Sequence, residues 1–233
     1  MMRKRRRVIV FLCATYRKGK NMESPQTLFD ELAEGYEEMR RELSWDPFIH
    51  IEAALRDVDL RGKRVLDAGC GTGECTRWFQ AQGAEPYGLD ISPEMCFHAA
   101  ERSENIPYLN HDLSEPLVFD EGRFDVVVAL GCLEYLEHVE TTVSEFARVL
   151  SRGGYFLGCF ERCGEDCVGG CARSVVFFDD WTRYRLTESE LLSLLKRYFS
   201  SVRLDRVDGF KMTDDDGRET GEMTQYFRAI CRK

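Results

Sequence analysis

Short apolar runs alternate with helical stretches from Arg64 onward, and this alternation restricts the possible folds more than any other feature of the chain. Ser92-Pro93 predicts a helix start after the second run, and Gly153-Gly154 interrupts the chain before the fifth. Strands that alternate with helices pair in parallel, because each helix provides a crossover between them. We therefore predict an α/β protein with parallel strands at residues 65–66, 86–89, 106–109, 124–130 and 155–160.

The end of the chain has a different pattern. Thr187 and Glu190 match a capping box, which predicts a helix that extends to Tyr198. Residues 202–207 and 224–231 then form two apolar runs with no helical pattern between them. We expect these two runs to be an antiparallel pair of strands, joined by the polar, Asp-rich turn between them.

Two amphipathic helices are predicted before the sheet. Ser24-Pro25 and Asp46-Pro47 each place a capping side chain before a proline, which is typical of a helix start. Apolar residues follow each start at spacings of three and four, as expected for one buried helical face. They are Leu28, Leu32, Tyr36, Met39 and Leu43 in the first helix and Phe48, Ile51, Leu55 and Val58 in the second.

The segment from Val65 to Gly73 reads as a strand that enters a glycine-rich turn and opens a helix. Gly69, Gly71 and Gly73 allow the backbone to approach a ligand without side-chain obstruction. Asp90 ends the second predicted strand, where a carboxylate can accept hydrogen bonds from both hydroxyls of an adenosine ribose. The glycine loop and Asp90 together predict a nucleotide-like cofactor.

The spacing of the loop separates two classes of cofactor. Nicotinamide dinucleotide enzymes prefer G-x-G-x-x-G, with a helix N-terminus facing a pyrophosphate. Here the spacing is G-x-G-x-G, and Glu74 follows immediately. A carboxylate at that position would repel a pyrophosphate, whereas S-adenosylmethionine (SAM) has no phosphate and carries a sulfonium and an ammonium group. The residues therefore favour SAM over a nicotinamide-dependent oxidoreductase.

Residues 67–73, Asp90, Asp112 and the stretch 124–136 resemble the successive motifs of class I SAM-dependent methyltransferases. The resemblance covers residues 28–160 and is closest to the branch that methylates small molecules such as quinone precursors. It implies SAM as the cofactor. It also implies a Rossmann-like, doubly wound sheet of seven strands, mostly parallel with an antiparallel last strand.

The same resemblance assigns cofactor contacts residue by residue. The loop glycines would border the methionine part of SAM, and Asp90 would hold the ribose. Ile91 would pack on the adenine, and Asp112 with Leu113 would meet its edge. The predicted cofactor-binding residues are Tyr36, Asp67, Gly69, Cys70, Gly71, Gly73, Asp90, Ile91, Asp112, Leu113, Leu130 and Gly131.

The resemblance also suggests a division of the chain. A methyltransferase domain over 22–233 would follow a basic, disordered tail at 1–21. Helices at 22–60 would form a lid, from which Tyr36 either reaches the cofactor or only packs on the apolar face. A substrate-side insertion is expected at 159–185, with Phe177, Phe178, Trp181 and Tyr184 as pocket walls or as packing residues.

Catalysis makes few demands on the protein, because the sulfonium already activates the methyl group. Leu130 and Gly131 would line the pocket beneath it. If an oxygen or nitrogen nucleophile needs a general base, the candidates are Glu134, Tyr135 and His138, near the carboxyl ends of the strands. We expect methyl transfer to an O, N or C atom of a small molecule; the alternative is a non-catalytic SAM-binding sensor or partner protein.

Charge and motif both disfavour nucleic acid as the substrate. The net charge is −9, although residues 1–21 contain eight Lys or Arg and no acid. An acidic surface repels phosphate backbones. Nucleic-acid amino-methyltransferases of this fold place an Asn/Asp-Pro-Pro-aromatic tetrad after the fourth strand, where this chain has residues 129–132, Ala-Leu-Gly-Cys.

Five of the ten cysteines are scattered through predicted strands, helices and the glycine loop, which favours reduced thiols and a cytoplasmic location. They are Cys70, Cys75, Cys96, Cys132 and Cys231. The apolar run 8–14 is too short for a membrane span and lacks the cleavage site of a signal peptide. Four cysteines are evenly spaced, at Cys159, Cys163, Cys167 and Cys171. This spacing lacks the C-x₂-C pairs of structural zinc sites, so we predict no metal, with zinc, a thiophilic substrate and redox sensing as alternatives. The oligomeric state has no signal in the sequence.

Overall fold

The computed structural model describes residues 24–42, 45–163, 174–175, 182–213 and 219–233. The basic segment 1–21 lies outside these residues. So do Cys167 and Cys171 of the evenly spaced set, and Phe177, Phe178 and Trp181 of the predicted pocket walls.

Nine strands form among the described residues, and seven of them make one sheet. Within it the order is β3-β2-β1-β4-β5-β9-β8, and the short strands β6 and β7 form a separate pair. The strands are β1 (Arg64–Ala68), β2 (Glu85–Asp90), β3 (Tyr108–Asn110), β4 (Phe124–Ala129), β5 (Leu150–Glu161), β6 (Ser174–Val175), β7 (Thr182–Arg183), β8 (Ser201–Thr213) and β9 (Glu219–Arg232).

The pairing confirms the predicted sheet. Strands β1 to β5 pair in parallel, whereas β9 runs antiparallel to β5 and to β8. Helices form crossovers between the parallel strands, whereas β8 and β9 form a hairpin. This is the doubly wound, mostly parallel α/β arrangement with an antiparallel strand near its edge that the alternating pattern and the resemblance predict.

The helices are α1 (Pro25–Leu32), α2 (Tyr36–Glu42), α3 (Pro47–Leu55), α4 (Glu74–Ala81), α5 (Pro93–Glu101), α6 (Val139–Val149) and α7 (Glu188–Leu195). The predicted caps form: Ser24, Asp46 and Ser92 each accept a backbone N–H, and Thr187 with Glu190 makes the capping box. Three helix boundaries differ from the prediction, and the first is that α3 ends at Leu55 although its predicted apolar face continues to Val58. A 3₁₀ turn at Ala33–Gly35 divides the first helix, where Gly35 is a poor helix former, and α7 ends at Leu195 rather than Tyr198.

Both faces of the sheet are buried. Val127 and Phe156 belong to a large apolar cluster on one face, which the last helix covers through Leu191. Val126 and Leu157, their neighbours in the chain, belong to the cluster on the other face. Central strands covered on both sides are continuously apolar, which explains why residues 124–130 lack polar alternation. Among the described residues, no helix is long and apolar enough to span a bilayer.

Candidate functional site

The glycine loop lies at the carboxyl end of β1, between β2 and β4. The N–H groups of Gly69 and Cys70 donate to the carbonyl of Leu89 at 2.8 and 2.9 Å, which ties the loop to β2. Gly69 has φ +75°, and a Cβ built on it would lie 2.6 Å from Cys132 Cβ. Only glycine therefore fits this position. At Gly71, with φ +52°, a Cβ would lie 3.5 Å from the ring of Tyr36, so the backbone faces that ring closely.

Gly73 has a packing role that the resemblance did not indicate. It is the N-cap residue of α4, with φ +79°, and a Cβ there would lie 2.5 Å from the hydroxyl of Tyr108. A Cβ at Gly88 would lie 2.4 Å from the same ring. The two glycines make room for Tyr108, whose hydroxyl also lies 2.8 Å from Ser103 Oγ. Gly73 does not line the cavity at the loop.

Asp90 connects the end of β2 to the glycine loop. Its Oδ2 accepts the N–H of Gly71 at 2.8 Å, and its Oδ1 accepts the N–H of Ser92 at 3.0 Å. Asp90 is 7% exposed, and burial raises the pKa of its carboxyl to about 6. Each carboxylate oxygen has a second lone pair available, so Asp90 can still accept hydrogen bonds from a ligand.

A small cavity opens beside the loop and is bounded by α2, the start of α4 and the end of β4. Its polar lining is mainly acidic. Asp67 is 4% exposed and accepts the Thr76 hydroxyl at 2.6 Å, and burial raises the pKa of its carboxyl to about 6. Glu74 pairs with Arg40 at 2.5 Å, and Arg40 also donates to the Trp45 carbonyl. The cavity therefore combines two carboxylates with one buried guanidinium.

The N-terminal helices cover the loop. The lining of the cavity includes Tyr36, Arg40, Trp45 and Pro47 from this part of the chain. Burial raises the pKa of the Tyr36 phenol well above 10. Tyr36 and Gly71 line the same cavity, so the tyrosine lies at the predicted cofactor site.

Two carboxylates fasten these helices to the sheet domain. Glu37 Oε1 accepts hydrogen bonds from Thr72 Oγ1 at 2.9 Å, Arg77 at 3.1 Å and Arg102 at 3.2 Å. Burial opposes ionisation of Glu37, but the Thr72 hydrogen bond and the Arg77 charge outweigh it, and the pKa of its carboxyl is lowered. Asp30 accepts the hydroxyl of Ser92 at 2.5 Å, directly beside Asp90. The helices are thus closed over the loop and bound to both of its sides.

The predicted adenine contacts lie along the ends of β2 and β3. Ile91 is half-buried, and its carbonyl accepts Asn110 Nδ2 at 2.6 Å. Asp112 is half-buried and accepts the N–H of Ser114 at 2.8 Å. The side chain of Leu113 packs in the main apolar core, away from the surface, so only its backbone remains for a ligand.

The residues that follow β4 form one wall of the cavity. Leu130 lines it, and Gly131, with φ +74°, lies so close to Trp45 that a Cβ would be 3.8 Å from the indole Nε1. Cys132 donates to the carbonyl of Ala68 at 3.3 Å and packs against Gly69. These contacts hold the β4 loop against the glycine loop.

Glu134 lies in a buried ionic cluster whose members are distant from one another in the sequence. Its Oε1 accepts Arg183 Nη2 at 2.7 Å and the Tyr226 hydroxyl at 3.2 Å. Arg183 Nε lies 2.7 Å from Glu161 Oε2, and Arg185 pairs with the other oxygen of Glu161 at 2.6 Å. Glu134 is 2% exposed, and burial raises the pKa of its carboxyl even though Arg183 opposes the shift.

The other two candidate bases, Tyr135 and His138, differ in their surroundings. Tyr135 is stacked edge-on against Phe29 of α1, with ring centroids 5.5 Å apart, and the guanidinium of Arg183 lies 5.6 Å from its ring. Burial raises the pKa of the Tyr135 phenol to about 12. His138 is exposed at the N-terminus of α6, where its carbonyl accepts the N–H of Thr141. The structure therefore brings Glu134 and Tyr135 together and leaves His138 outside.

The cysteines follow the prediction of reduced thiols except at one position. Six described cysteines are free, at Cys70, Cys75, Cys96, Cys132, Cys159 and Cys231, whereas Cys163 is disulfide-bonded. Cys159 is fully buried within β5 rather than in a connecting loop, because β5 continues to Glu161. Within the described part of the chain, no group of His, Cys, Asp or Glu side chains is arranged to hold a metal ion.

Several residues at the site were missed by the sequence reasoning. Arg40, Glu37 and Trp45 lie on or near polar helical stretches, and nothing in a linear pattern shows that they face the loop. Thr72 and Cys132, by contrast, stand inside the motifs that were recognised, and their position beside Gly71 and Gly131 could have suggested them.

Part of the sequence matches known methyltransferases. Residues 66–158 match the methyltransferase domain family. The demethylmenaquinone methyltransferase of Tropheryma whipplei is 31% identical over 144 residues, 60% of each chain. The ubiquinone biosynthesis O-methyltransferase of Alkalilimnicola ehrlichii is 36% identical over 105 residues, 42% of this chain and 41% of the relative. The chain thus spans between two fifths and three fifths of the length of these relatives.

Solved structures share the fold. The 1,6-didemethyltoxoflavin-N1-methyltransferase of Burkholderia thailandensis, with bound 1,6-didemethyltoxoflavin and S-adenosylhomocysteine, superposes with a TM-score of 0.59 at 21% identity, covering 92% of both chains. A SAM-dependent methyltransferase from Mesorhizobium loti gives a TM-score of 0.60 at 21% identity, covering 80% of this chain and 97% of the other. The predicted fold class is confirmed.

Proposed function

We propose that this chain is a class I SAM-dependent methyltransferase, which transfers the methyl group of SAM to an oxygen, nitrogen or carbon atom of a small-molecule acceptor. The observation that carries the proposal is the position of Asp90, which holds the amide of Gly71, a lining residue of the cavity at the loop. Relatives named for demethylmenaquinone methylation and for ubiquinone biosynthesis support a small-molecule acceptor.

The residues at the cavity fit SAM in charge and in shape. Asp67 suits a ligand with a sulfonium and an ammonium group, and the Arg40–Glu74 pair would open to meet the carboxylate and the ammonium of the ligand. Because Gly69 and Gly71 have no side chains, a ligand can approach their backbone directly. We assign the methionine part of the cofactor to these residues.

The adenosine part is assigned to the adjoining strand ends. Asp90 keeps one lone pair on each oxygen for the two ribose hydroxyls. Ile91 would cover one face of the adenine, and Asp112 with the backbone of Leu113 would contact its edge. We assign Gly73 a packing role beside Tyr108 and no contact with the ligand.

Bound SAM supplies an activated methyl group, so the protein's part is to position the acceptor, exclude water and remove a proton where the acceptor has one. The closed helices, fastened by Glu37 and Asp30, exclude water from the loop. Among the candidate bases, Glu134 is the one whose carboxyl is buried and has its pKa raised by that burial. We propose Glu134 as the base and Tyr135 as a wall of the acceptor site.

Calorimetric titration with S-adenosylhomocysteine tests the cofactor assignment. We expect wild type to bind, and Asp90→Asn to bind roughly 10- to 100-fold more weakly, because hydrogen bonds to a charged acceptor are lost. Asp125→Asn is the matched control, since Asp125 pairs with Arg64 at the opposite end of the sheet. Equal affinity in Asp90→Asn and wild type, or binding of NADH in place of S-adenosylhomocysteine, would contradict the proposal.

A turnover assay separates an enzyme from a sensor that binds SAM without transfer. The protein is incubated with SAM labelled in its methyl group and with a mixture of small phenols and amines. Production of S-adenosylhomocysteine together with a labelled acceptor supports methyl transfer. Binding of the cofactor without labelled product across the mixture would favour the sensor.

A further inference from the structure

One serine connects the N-terminal helices to the predicted ribose acceptor. The hydroxyl of Ser92 donates to Asp30 Oδ1 of α1 at 2.5 Å, and the backbone N–H of Ser92 donates to Asp90 Oδ1 at 3.0 Å. Ser92 is fully buried, whereas Asp30 is half-buried. Two carboxylates from distant parts of the chain therefore hold the two donors of one buried residue.

Asp30 also lies at the N-terminus of α5. The Ser92 hydroxyl caps this helix by accepting the N–H of Met95 at 3.0 Å, and the N–H of Glu94 donates to Asp30 Oδ1 at 3.4 Å. A negative charge is favourable at the N-terminus of a helix, because the unpaired N–H groups there carry partial positive charge. This attraction helps to hold α1 against α5.

The same position has an electrostatic cost. Burial, and after it the charge of Asp30, raises the pKa of the Asp90 carboxyl to about 6. Ser92 already supplies the side-chain cap that the N-terminus of α5 requires. Capping alone therefore does not explain a second carboxylate beside Asp90.

A ribose bound at Asp90 would offset part of this cost. Each carboxylate oxygen of Asp90 accepts one backbone N–H and has a further lone pair for a hydroxyl. Hydroxyl donors stabilise the ionised carboxylate, and they weaken its repulsion of Asp30. Occupation of Asp90 and docking of Asp30 should then favour each other, and the coupling is equal in both directions.

We infer that Asp30 is a positioning residue for cofactor binding, which acts through Ser92 to hold Asp90 toward the ribose and docks α1 more firmly when the ribose is bound. The inference rests on the proposed function and extends it to the regulation of the same site. It makes cofactor binding and the closure of the N-terminal helices cooperative.

A double-mutant cycle measures this coupling. Calorimetry at pH 8, where Asp90 is ionised, gives the affinity for S-adenosylhomocysteine of Asp30→Ala in the wild-type and the Asp90→Asn backgrounds. We expect Asp30→Ala to weaken binding roughly five- to tenfold in the wild type, as is usual for coupled sites. In the Asp90→Asn background the factor should be at most about twofold, because the partner charge is absent.

Two further variants serve as controls. Asp125→Asn removes a carboxylate that pairs with Arg64 on β1, and it should leave the affinity unchanged in both backgrounds. Asp30→Asn keeps an acceptor for the Ser92 hydroxyl, so at pH 8 it should weaken binding less than Asp30→Ala does. Circular dichroism checks folding, and Asp30→Asn replaces Asp30→Ala in the cycle if the alanine variant does not fold.

The pH dependence of the affinity distinguishes positioning from packing. Ionisable side chains that interact electrostatically with Asp90 come from α1, α2, β1, the glycine loop and the turn after β4: Asp30, Tyr36, Asp67, Cys70 and Cys132. The affinity should rise with pH as Asp90 ionises, because the carboxylate is the form that accepts both hydroxyls. Loss of the Asp30 charge lowers the pKa of Asp90, so the midpoint of this rise should move to lower pH in Asp30→Asn. Asp67 titrates in the same range in both proteins, so the difference between their profiles reports Asp30.

The outcomes separate the inference from the proposed function. Failure of wild type to bind S-adenosylhomocysteine removes the proposed function and the inference with it. If wild type binds and Asp90→Asn binds more weakly, equal factors for Asp30→Ala in the two backgrounds overturn the inference alone. An unchanged midpoint in Asp30→Asn also overturns it, because Asp30 would then only pack against α5.

Discussion

The carboxylate of Asp90 accepts the backbone N–H of Gly71 at 2.8 Å. This hydrogen bond joins the end of β2 to the turn that follows β1, and the second oxygen of Asp90 holds Ser92 at the start of α5. The conformation of the glycine loop and the orientation of the predicted ribose acceptor are therefore set by the same side chain. A change in either residue should affect both the loop and cofactor binding.

Alanine substitutions at two glycines separate backbone strain from crowding. Gly62 and Gly69 both have positive φ, +66° and +75°, but a Cβ at Gly62 meets nothing within 4 Å, whereas at Gly69 it meets Cys132 at 2.6 Å. We expect Gly62→Ala to cost about 1 kcal/mol in the free energy of unfolding. Gly69→Ala should cost more and also weaken S-adenosylhomocysteine binding. Urea unfolding and calorimetry measure both effects, and equal losses in the two variants would contradict the crowding argument.

Burial of Asp67 predicts a specific dependence on pH. Its pKa is raised from 3.8 to about 6 in the folded protein, so between these values the folded state binds more protons than the unfolded chain. The contribution of Asp67 to stability therefore falls as pH rises through this window. Relative to wild type, Asp67→Asn should gain about 2 kcal/mol between pH 4.5 and pH 7.

Asp125→Asn is the control for this pH series. The hydrogen bond from Arg64 lowers the pKa of Asp125 to about 2, so Asp125 is ionised throughout the window in the folded protein. Its stability difference from wild type should change little between pH 4.5 and pH 7. Unfolding by urea at several pH values gives both differences, and parallel curves for Asp67→Asn and wild type would refute the prediction.

Glu37 should control how long the cofactor stays bound. Glu37→Gln removes the charge that holds Arg77 and Arg102 to the N-terminal helices. We expect the dissociation rate of S-adenosylhomocysteine to rise roughly three- to tenfold, as for loss of about 1 kcal/mol of ion pairing. Glu188→Gln, which breaks the pair with Arg206 away from the loop, is the control and should leave the rate unchanged. Stopped-flow displacement measures the rate.

Arg183 should be essential for stability at neutral pH. Arg183→Met leaves Glu134 and Glu161 buried without their shared counter-charge, and we expect a loss of about 3–5 kcal/mol. Tyr226→Phe removes the hydroxyl that donates to Glu134 and accepts from Arg183, and it should cost about 1.5–3 kcal/mol.

The pH dependence of the Arg183→Met loss identifies its cause. Without Arg183, the pKa of the buried Glu134 carboxyl should rise further, so protonation at pH 5.5 relieves part of the penalty. The loss should therefore be smaller at pH 5.5 than at pH 7.5. A loss of equal size at both pH values would indicate a packing defect instead of an uncompensated charge.

The sequence by itself determined the features that depend on neighbours in the chain. Helix caps at Ser24, Asp46, Ser92 and Thr187 act on backbone groups two or three residues away, so their pattern is visible in the sequence. The alternation of short apolar runs with helical stretches identified a parallel sheet with helical crossovers. The glycine spacing likewise identified the strand–turn–helix geometry of the glycine loop, because that geometry is local, and with Asp90 it predicts the cofactor site.

Only the tertiary structure decided which distant side chains meet. Glu134 and Arg183 are 49 residues apart in the chain, and Glu37 and Arg102 are 65 apart. Their pairing depends on how the helices and strands pack, and no local periodicity encodes it. The same reason explains His138, which follows β4 in the sequence as closely as a site residue would but is turned to the surface by the start of α6. Propensity and spacing act over a few residues, whereas a buried charge takes its partner from whichever part of the chain the fold brings beside it.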